Sequence, residues 1–136
     1  MESQIKKTKI LIIDDDLNLQ ASLKRLLIKK GFVVDVASNG KDGLLKIGDF
    51  KPDCILLDIG MPILDGNETL KMIKWLFPKA KEAWSDSSAD VIIISGADDL
   101  KSKAEWISSG AFDFIPKPVQ FEEIYNLIIN SINTKN

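Results

Sequence analysis

The chain has 136 residues, 45% hydrophobic and 28% charged, a length and balance that suit one globular domain with a single core. A net charge of −2 and the absence of histidine argue against an electrostatic grip on nucleic acid and remove the usual general base and the commonest zinc ligand. One cysteine, Cys54, forms no internal disulfide, and no apolar run approaches the ~20 residues of a membrane span, so the expected setting is the reducing cytoplasm, away from membranes.

Lys9 to Ile13 (KILII) reads as a buried strand. Lysines precede it, but the run is too short for a signal peptide and leads straight into Asp14, Asp15 and Asp16. Leu17 to Lys30 reads as a helix, with Leu19, Leu23, Leu26 and Leu27 at helical spacing, Asp16 as its cap and Gly31 as its stop. Phe32 to Ala37 is a second strand, and Asn39-Gly40 turns into a short helix carrying Leu44, Leu45 and Ile47. Pro52 precedes a third strand, Cys54 to Asp58, in which Cys54 reads as a small core hydrophobe rather than a nucleophile.

Gly66 to Phe77 predicts a third helix, with Leu70, Ile73, Trp75 and Leu76 among its apolar positions and Pro78 as its end or a kink. Asp65 before it is a turn residue. Lys79 to Asp90 is a polar loop, or a helical extension followed by a turn; its Trp84 is either a cover over an apolar patch or a binding anchor. Val91 to Ser95 is the fourth strand. Asp98 to Ser109 is the fourth helix, capped by Asp98 or Asp99. There Trp106 lies beside Ile107, one expected in the core and the other exposed, and Trp106 is open to either packing or a partner contact. Phe112 to Pro116 is a short fifth strand, and Gln120 to Ile132 a last helix with Phe121, Ile124, Leu127, Ile128 and Ile132 on one stripe.

Strands alternating with helices predict a parallel sheet covered on both faces, whose ligand site lies outside the C-terminal strand ends. Asp14, Asp15, Asp58 and Ser95 fall at those ends, and Lys117 lies just past the fifth strand. Removing a carboxylate from water costs roughly several kcal/mol unless it is compensated, so acids gathered there call for a cation. A hard divalent ion with oxygen ligands meets that need.

Taken in order, the segments ILIIDDD, LLDIGMPILDG, IIISGADD and GAFDFIPKP resemble the receiver domain of two-component response regulators, from about Lys9 to Ile132. The resemblance implies a flavodoxin-like (βα)5 three-layer sandwich with a parallel five-stranded sheet of order 2-1-3-4-5, the whole chain forming one domain. It implies that Asp58 accepts a phosphoryl group from a phosphohistidine on a sensor histidine kinase or phosphotransfer protein. Asp14, Asp15, Asp58 and the carbonyl of Gly60 would hold Mg²⁺ (or Mn²⁺). Lys117, on a cis Lys117-Pro118 bond, and Ser95 would meet the phosphoryl oxygens, and Ser95 with Phe114 would form the switch.

The chemistry agrees with that assignment. Phosphoryl transfer needs positioning and charge neutralisation more than covalent help, and an aspartate attacks as its carboxylate, so no histidine base is required. The resemblance also implies an altered surface at the fourth helix, fifth strand and last helix, a phosphorylation-dependent dimer, and an output partner or fused output domain. Neither nucleic acid nor membrane is an expected direct partner. Phe114 departs from the commoner tyrosine by lacking a hydroxyl. Gly60 and Ala97 are small, which implies an open site and a short-lived phosphoryl state. Lys79 to Asp90 is longer than the family norm. Two other readings stand beside this one: a receiver-like scaffold that is never phosphorylated, and an aspartyl-nucleophile phosphatase, which would want a second acid where Gly60 stands.

Overall fold

In the computed structural model, residues 7–60, 66–76, 89–96 and 102–134 are described. Five strands and five helices alternate: β1 Lys9–Ile13, α1 Leu17–Lys29, β2 Val33–Ala37, α2 Gly40–Phe50, β3 Cys54–Asp58, α3 Gly66–Leu76, β4 Asp90–Ser95, α4 Lys103–Ser108, β5 Asp113–Pro116 and α5 Phe121–Thr134. All pairings are parallel, and the sheet order is β2-β1-β3-β4-β5. This is the order the resemblance implied.

The interior strands are near-continuous apolar runs because both faces of the sheet are covered. Alternation along each strand sends successive side chains to opposite faces. Leu11, Ile13, Ile55, Leu57 and Ile93 meet Ile47, Leu70, Ile73 and Trp106 from α2, α3 and α4. On the other face Ile10, Ile12, Leu56, Ile92 and Ile94 meet Leu23 and Leu27 of α1 and Ile124 and Ile128 of α5. Cys54 belongs to this second layer, buried as a core hydrophobe. β2 lies on the edge and buries only Ala37 fully.

Local chemistry sets the ends of the helices. Asp16 Oδ1 accepts the N–H groups of Asn18 and Leu19 at 3.0 and 3.1 Å, which caps α1 as expected. Gly31 follows with φ of 99°, a left-handed turn that glycine adopts without a Cβ penalty. Asn39 caps α2 by accepting the Asp42 N–H at 2.9 Å.

α4 corrects the sequence reading. It starts at Lys103, and its cap is Ser102. Ser102 Oγ accepts the Glu105 N–H at 3.2 Å while Glu105 Oε1 accepts the Ser102 N–H at 2.9 Å, a reciprocal capping box. Asp98 and Asp99 lie outside the described residues, as do Asp65, Pro78, Trp84 and Ala97. Of the Lys79 to Asp90 segment only Ala89 and Asp90 are described, and Asp90 opens β4. The pair on α4 resolves cleanly: Trp106 is 1% exposed and packs into the core, whereas Ile107 is 43% exposed. Trp106 is therefore a packing residue and offers no surface to a partner.

Candidate functional site

Parallel pairing places every strand's C-terminal end on one edge of the sheet. β1 pairs with β3 in a register that sets Ile13 against Leu57, so Asp14 and Asp58 follow at the same level. β3 sets Asp58 against Ile94, and β4 sets Ser95 against Pro116. The Lys117 N–H then donates to the Ser95 carbonyl at 2.7 Å, extending the ladder one residue past β5. The Lys117-Pro118 bond is cis.

Asp14, Asp15 and Asp58 each present a carboxylate oxygen within 4.8 Å of the others. Asp14 and Asp58 are buried, and Asp15 faces solvent. Lys117 Nζ stands 3.2 Å from Asp58 Oδ1. The Gly60 N–H makes a long 3.5 Å contact to the same oxygen, and a Cβ added at Gly60 would meet nothing within 4 Å among the described residues.

The two oxygens of Asp14 differ. Oδ1 accepts the Asp16 N–H at 2.9 Å. Oδ2 is buried and, among the described residues, has no hydrogen-bond partner. Burial pushes the Asp14 carboxyl up to about 6, and the charges of Asp58 and Asp15 add to the rise, against the Asp16 N–H and Lys117. Burial works against the Lys117 ammonium, yet Asp58 and Asp14 hold its pKa above the ordinary lysine range. An orphaned buried carboxylate oxygen beside two other acids, with no nitrogen or sulfur donor, fits a hard divalent cation.

The remaining residues sit around this cluster. Ser95 is buried at the end of β4, and its Oγ donates to the Gly96 carbonyl at 3.1 Å. Phe114 lies on β5 opposite Ile93, half-buried against the core layer that holds Trp106. With Lys103, Asp113, Ile115, Glu123 and Leu127 it lines a cavity of about 430 Å³ between β5 and the flanking helices. Lys103 Nζ and Asp113 Oδ1 form a 3.2 Å ion pair in that wall.

Gln20 escapes the sequence reading. Its Nε2 donates to the carbonyls of Asp14 at 3.0 Å and Ala37 at 3.1 Å, and the side chain is buried. A signal existed: Gln20 falls on the same helical stripe as Leu23 and Leu27, a polar residue on an apolar face.

The sequence model of the response regulator receiver domain matches residues 10–129. Response regulator MprA of Mycolicibacterium vanbaalenii is 29% identical over 116 residues, which cover 85% of this chain and 46% of that protein. The chain thus spans about half the length of the curated relatives it matches. Among solved structures, a response regulator receiver domain protein from Methanospirillum hungatei superposes with a TM-score of 0.83 at 27% identity, over 96% of this chain and 97% of the other. A response regulator receiver domain protein from Clostridium thermocellum gives 0.82 at 32% identity, over 94% and 96%.

Proposed function

This chain belongs to the response regulator receiver domain family, and from that premise we propose that it is a phosphorylatable switch of a two-component system, acting in the cytoplasm. Asp58 is the acceptor. One of its carboxylate oxygens attacks the phosphorus of a phosphohistidine carried by a sensor histidine kinase or phosphotransfer protein. The O–P bond forms as the P–N bond breaks, and the imidazole leaves with the electron pair. A carboxylate needs no base to attack, so the chain works without histidine.

Asp14, Asp15, Asp58 and the Gly60 carbonyl would hold Mg²⁺ or Mn²⁺, which when bound supplies neutralising charge to the phosphoryl oxygens. Lys117 offers a second positive charge, already 3.2 Å from the attacking carboxylate. The Ser95 hydroxyl, now on the Gly96 carbonyl, would turn toward a third oxygen. The chain is a signalling phosphoacceptor rather than a turnover enzyme: the acyl phosphate is its own product and is lost to water.

The new phosphate carries about −1.5 to −2 charges and draws Ser95 toward it. Phe114 then moves into the space behind, reshaping the surface of α4, β5 and α5 where partners or a second copy dock. Phosphate biases this equilibrium only through its unequal interaction with the two states. The output is delivered through a separate partner or a fused output domain.

The observation that carries this reading is that Asp58, nearly fully buried, is shared by an ammonium group and two further acids. The test is intact-mass measurement of wild type and Asp58→Asn after incubation with Mg²⁺ and a small acyl-phosphate donor. A phosphoryl adduct on wild type alone is expected. No adduct on either favours an unphosphorylated scaffold, and sustained turnover of phosphomonoesters favours a phosphatase.

A further inference from the structure

The geometry points to Gln20 as a positioning residue for the metal site, a part of the machinery beyond the acids themselves. We infer that its side-chain amide fixes the backbone of Asp14, and with it the two adjacent carboxylates, in the arrangement that accepts a divalent ion. The inference rests on the metal-site reading above.

The bonds form a closed unit. The Asp14 N–H donates to the Ala37 carbonyl at 3.0 Å, where the β1–β2 pairing runs out. Gln20 Nε2 donates to that same Ala37 carbonyl at 3.1 Å and to the Asp14 carbonyl at 3.0 Å. The Asp14 N–H is therefore held by Ala37 and its carbonyl by Gln20, and Gln20 also holds Ala37. The amide must present its nitrogen there, because its oxygen would face two carbonyl oxygens. Gln20 is 8% exposed and sits on α1, so the amide is carried by a packed helix rather than a loop.

Consider what that unit orients. The Asp14 carbonyl belongs to the peptide joining Asp14 to Asp15, so pinning it fixes where both Cβ atoms point. On the side-chain end, Oδ1 is already held by the Asp16 N–H, and Oδ2, buried beside the acid cluster, has no hydrogen-bond partner among the described residues. A buried carboxylate in that state gains from relaxing away from Asp58. Gln20 is the brace that resists such relaxation through the backbone, so the ordering cost is met on folding rather than on binding the ion.

A plain packing role is the competing account: Gln20 fills space and satisfies two buried carbonyls. Gln20→Met keeps the length and removes both donors. Gln20→Glu keeps the shape and sets an oxygen against the carbonyls. Mg²⁺ affinity is measured by NMR titration of the intact chain with the metal alone, beside Asp14→Asn and Ser131→Ala. Ser131 is buried on α5, and its Oγ donates to Asp90 Oδ2 at 2.6 Å at the opposite end of β4. Its loss destabilises the fold without touching the acids.

We expect wild type to bind Mg²⁺, Asp14→Asn to lose binding, and Ser131→Ala to keep wild-type affinity at lower Tm. Both Gln20 variants are expected to weaken affinity roughly tenfold, the lower range for groups that orient metal ligands. Gln20 variants that bind Mg²⁺ as wild type does overturn the positioning role alone. Wild type that shows no Mg²⁺-dependent shifts overturns the metal site itself. If the Gln20 variants do not fold, the wild-type Gln20 side-chain amide decides: its signals must shift with the same midpoint as the Asp15 amide, and signals indifferent to Mg²⁺ overturn the inference.

Discussion

Lys117 and Asp58 meet at 3.2 Å although their strands are not neighbours: β4 lies between β3 and β5, and Lys117 crosses its end to reach the carboxylate. The pair is unequal, with Asp58 buried and the lysine side chain 32% exposed. Lys117 thus sets a positive charge beside the acid cluster proposed to hold the metal. Lys117→Met should divide the two functions. Mg²⁺ binds about threefold more tightly or better once a competing cation is gone. Phosphoryl acceptance slows roughly a hundredfold, as when one preorganised donor to a transition state is removed. A mass time course at saturating Mg²⁺ and a metal titration check the two signs. A variant that loses metal affinity contradicts this arrangement.

Asp14 is a buried carboxylate with one oxygen that has no hydrogen-bond partner among the described residues. Its pKa in the metal-free protein is about 6 against an ordinary 3.8. A folded-state value above the unfolded one means the native state binds more protons between those limits. The contribution of Asp14 to stability is therefore fullest below the unfolded value and is lost as pH rises through about 6. Metal-free Tm should fall across that window, and saturating Mg²⁺ should flatten the decline. Asp14→Asn removes the charge, so its metal-free Tm at pH 7 should exceed wild type while its Mg²⁺ response disappears. Thermal melts with and without chelator measure all of this, and an unchanged or lower metal-free Tm for Asp14→Asn contradicts the account.

The sheet was legible because β1, β3 and β4 are buried on both faces and so are written as unbroken apolar runs ending in polar residues. Cys54–Asp58 was placed to the residue, and the acids stood out because charge directly after a buried run has few structural uses. α4 was harder to read. Asp98 and Asp99 are acceptable caps by residue type, but the pattern that closes the helix is Ser102 with Glu105 three residues later. Trp106 and Ile107 could not be ordered, since choosing which faces the core needs the helix phase, and that depends on where the helix starts. Gln20 is not legible in the sequence because its partners are backbone carbonyls, one of them on β2, and a backbone atom leaves no trace in residue identity.

α2 carries an internal comparison between two glycines. A Cβ added at Gly43 would lie 2.5 Å from Ile13 Cδ1 and 3.0 Å from its Cγ1, so α2 approaches β1 too closely for a methyl group. A Cβ at Gly48, on the exposed side of the same helix, would meet nothing within 4 Å. The same substitution should therefore act with opposite signs. Gly48→Ala gains helix propensity and stabilises by about 0.5–1 kcal/mol. Gly43→Ala makes the same gain but displaces a fully buried isoleucine, and overpacking costs about 1–3 kcal/mol. Urea unfolding of both variants gives the signs directly. A stabilising Gly43→Ala would mean that Ile13 repacks freely, and Ile13 immediately precedes Asp14.

Phe114 lies between the core layer that holds Trp106 and the cavity between β5 and the flanking helices. Its ring packs on the layer that holds Trp106 and borders the Lys103–Asp113 ion pair. Lacking a hydroxyl, it can act in the proposed switch only through shape. Phe114→Ala should cost about 2–3 kcal/mol, below the range for a fully buried phenylalanine because the ring is only half-buried. Phosphorylation of Asp58 should proceed at the wild-type rate in this variant, since the acids and Lys117 are left unchanged. What should disappear is the response of the far surface. In wild type, amide signals of Lys103, Asp113 and Leu127 are expected to move when acyl phosphate and Mg²⁺ are added, and in Phe114→Ala they should stay in place while the mass adduct still forms. Phe114→Leu restores much of the lost volume and separates the two effects: stability recovers, whereas the response recovers only if bulk rather than ring shape drives the switch. Wild-type signal movements in Phe114→Ala would show that Ser95 communicates with α4 and α5 by another route.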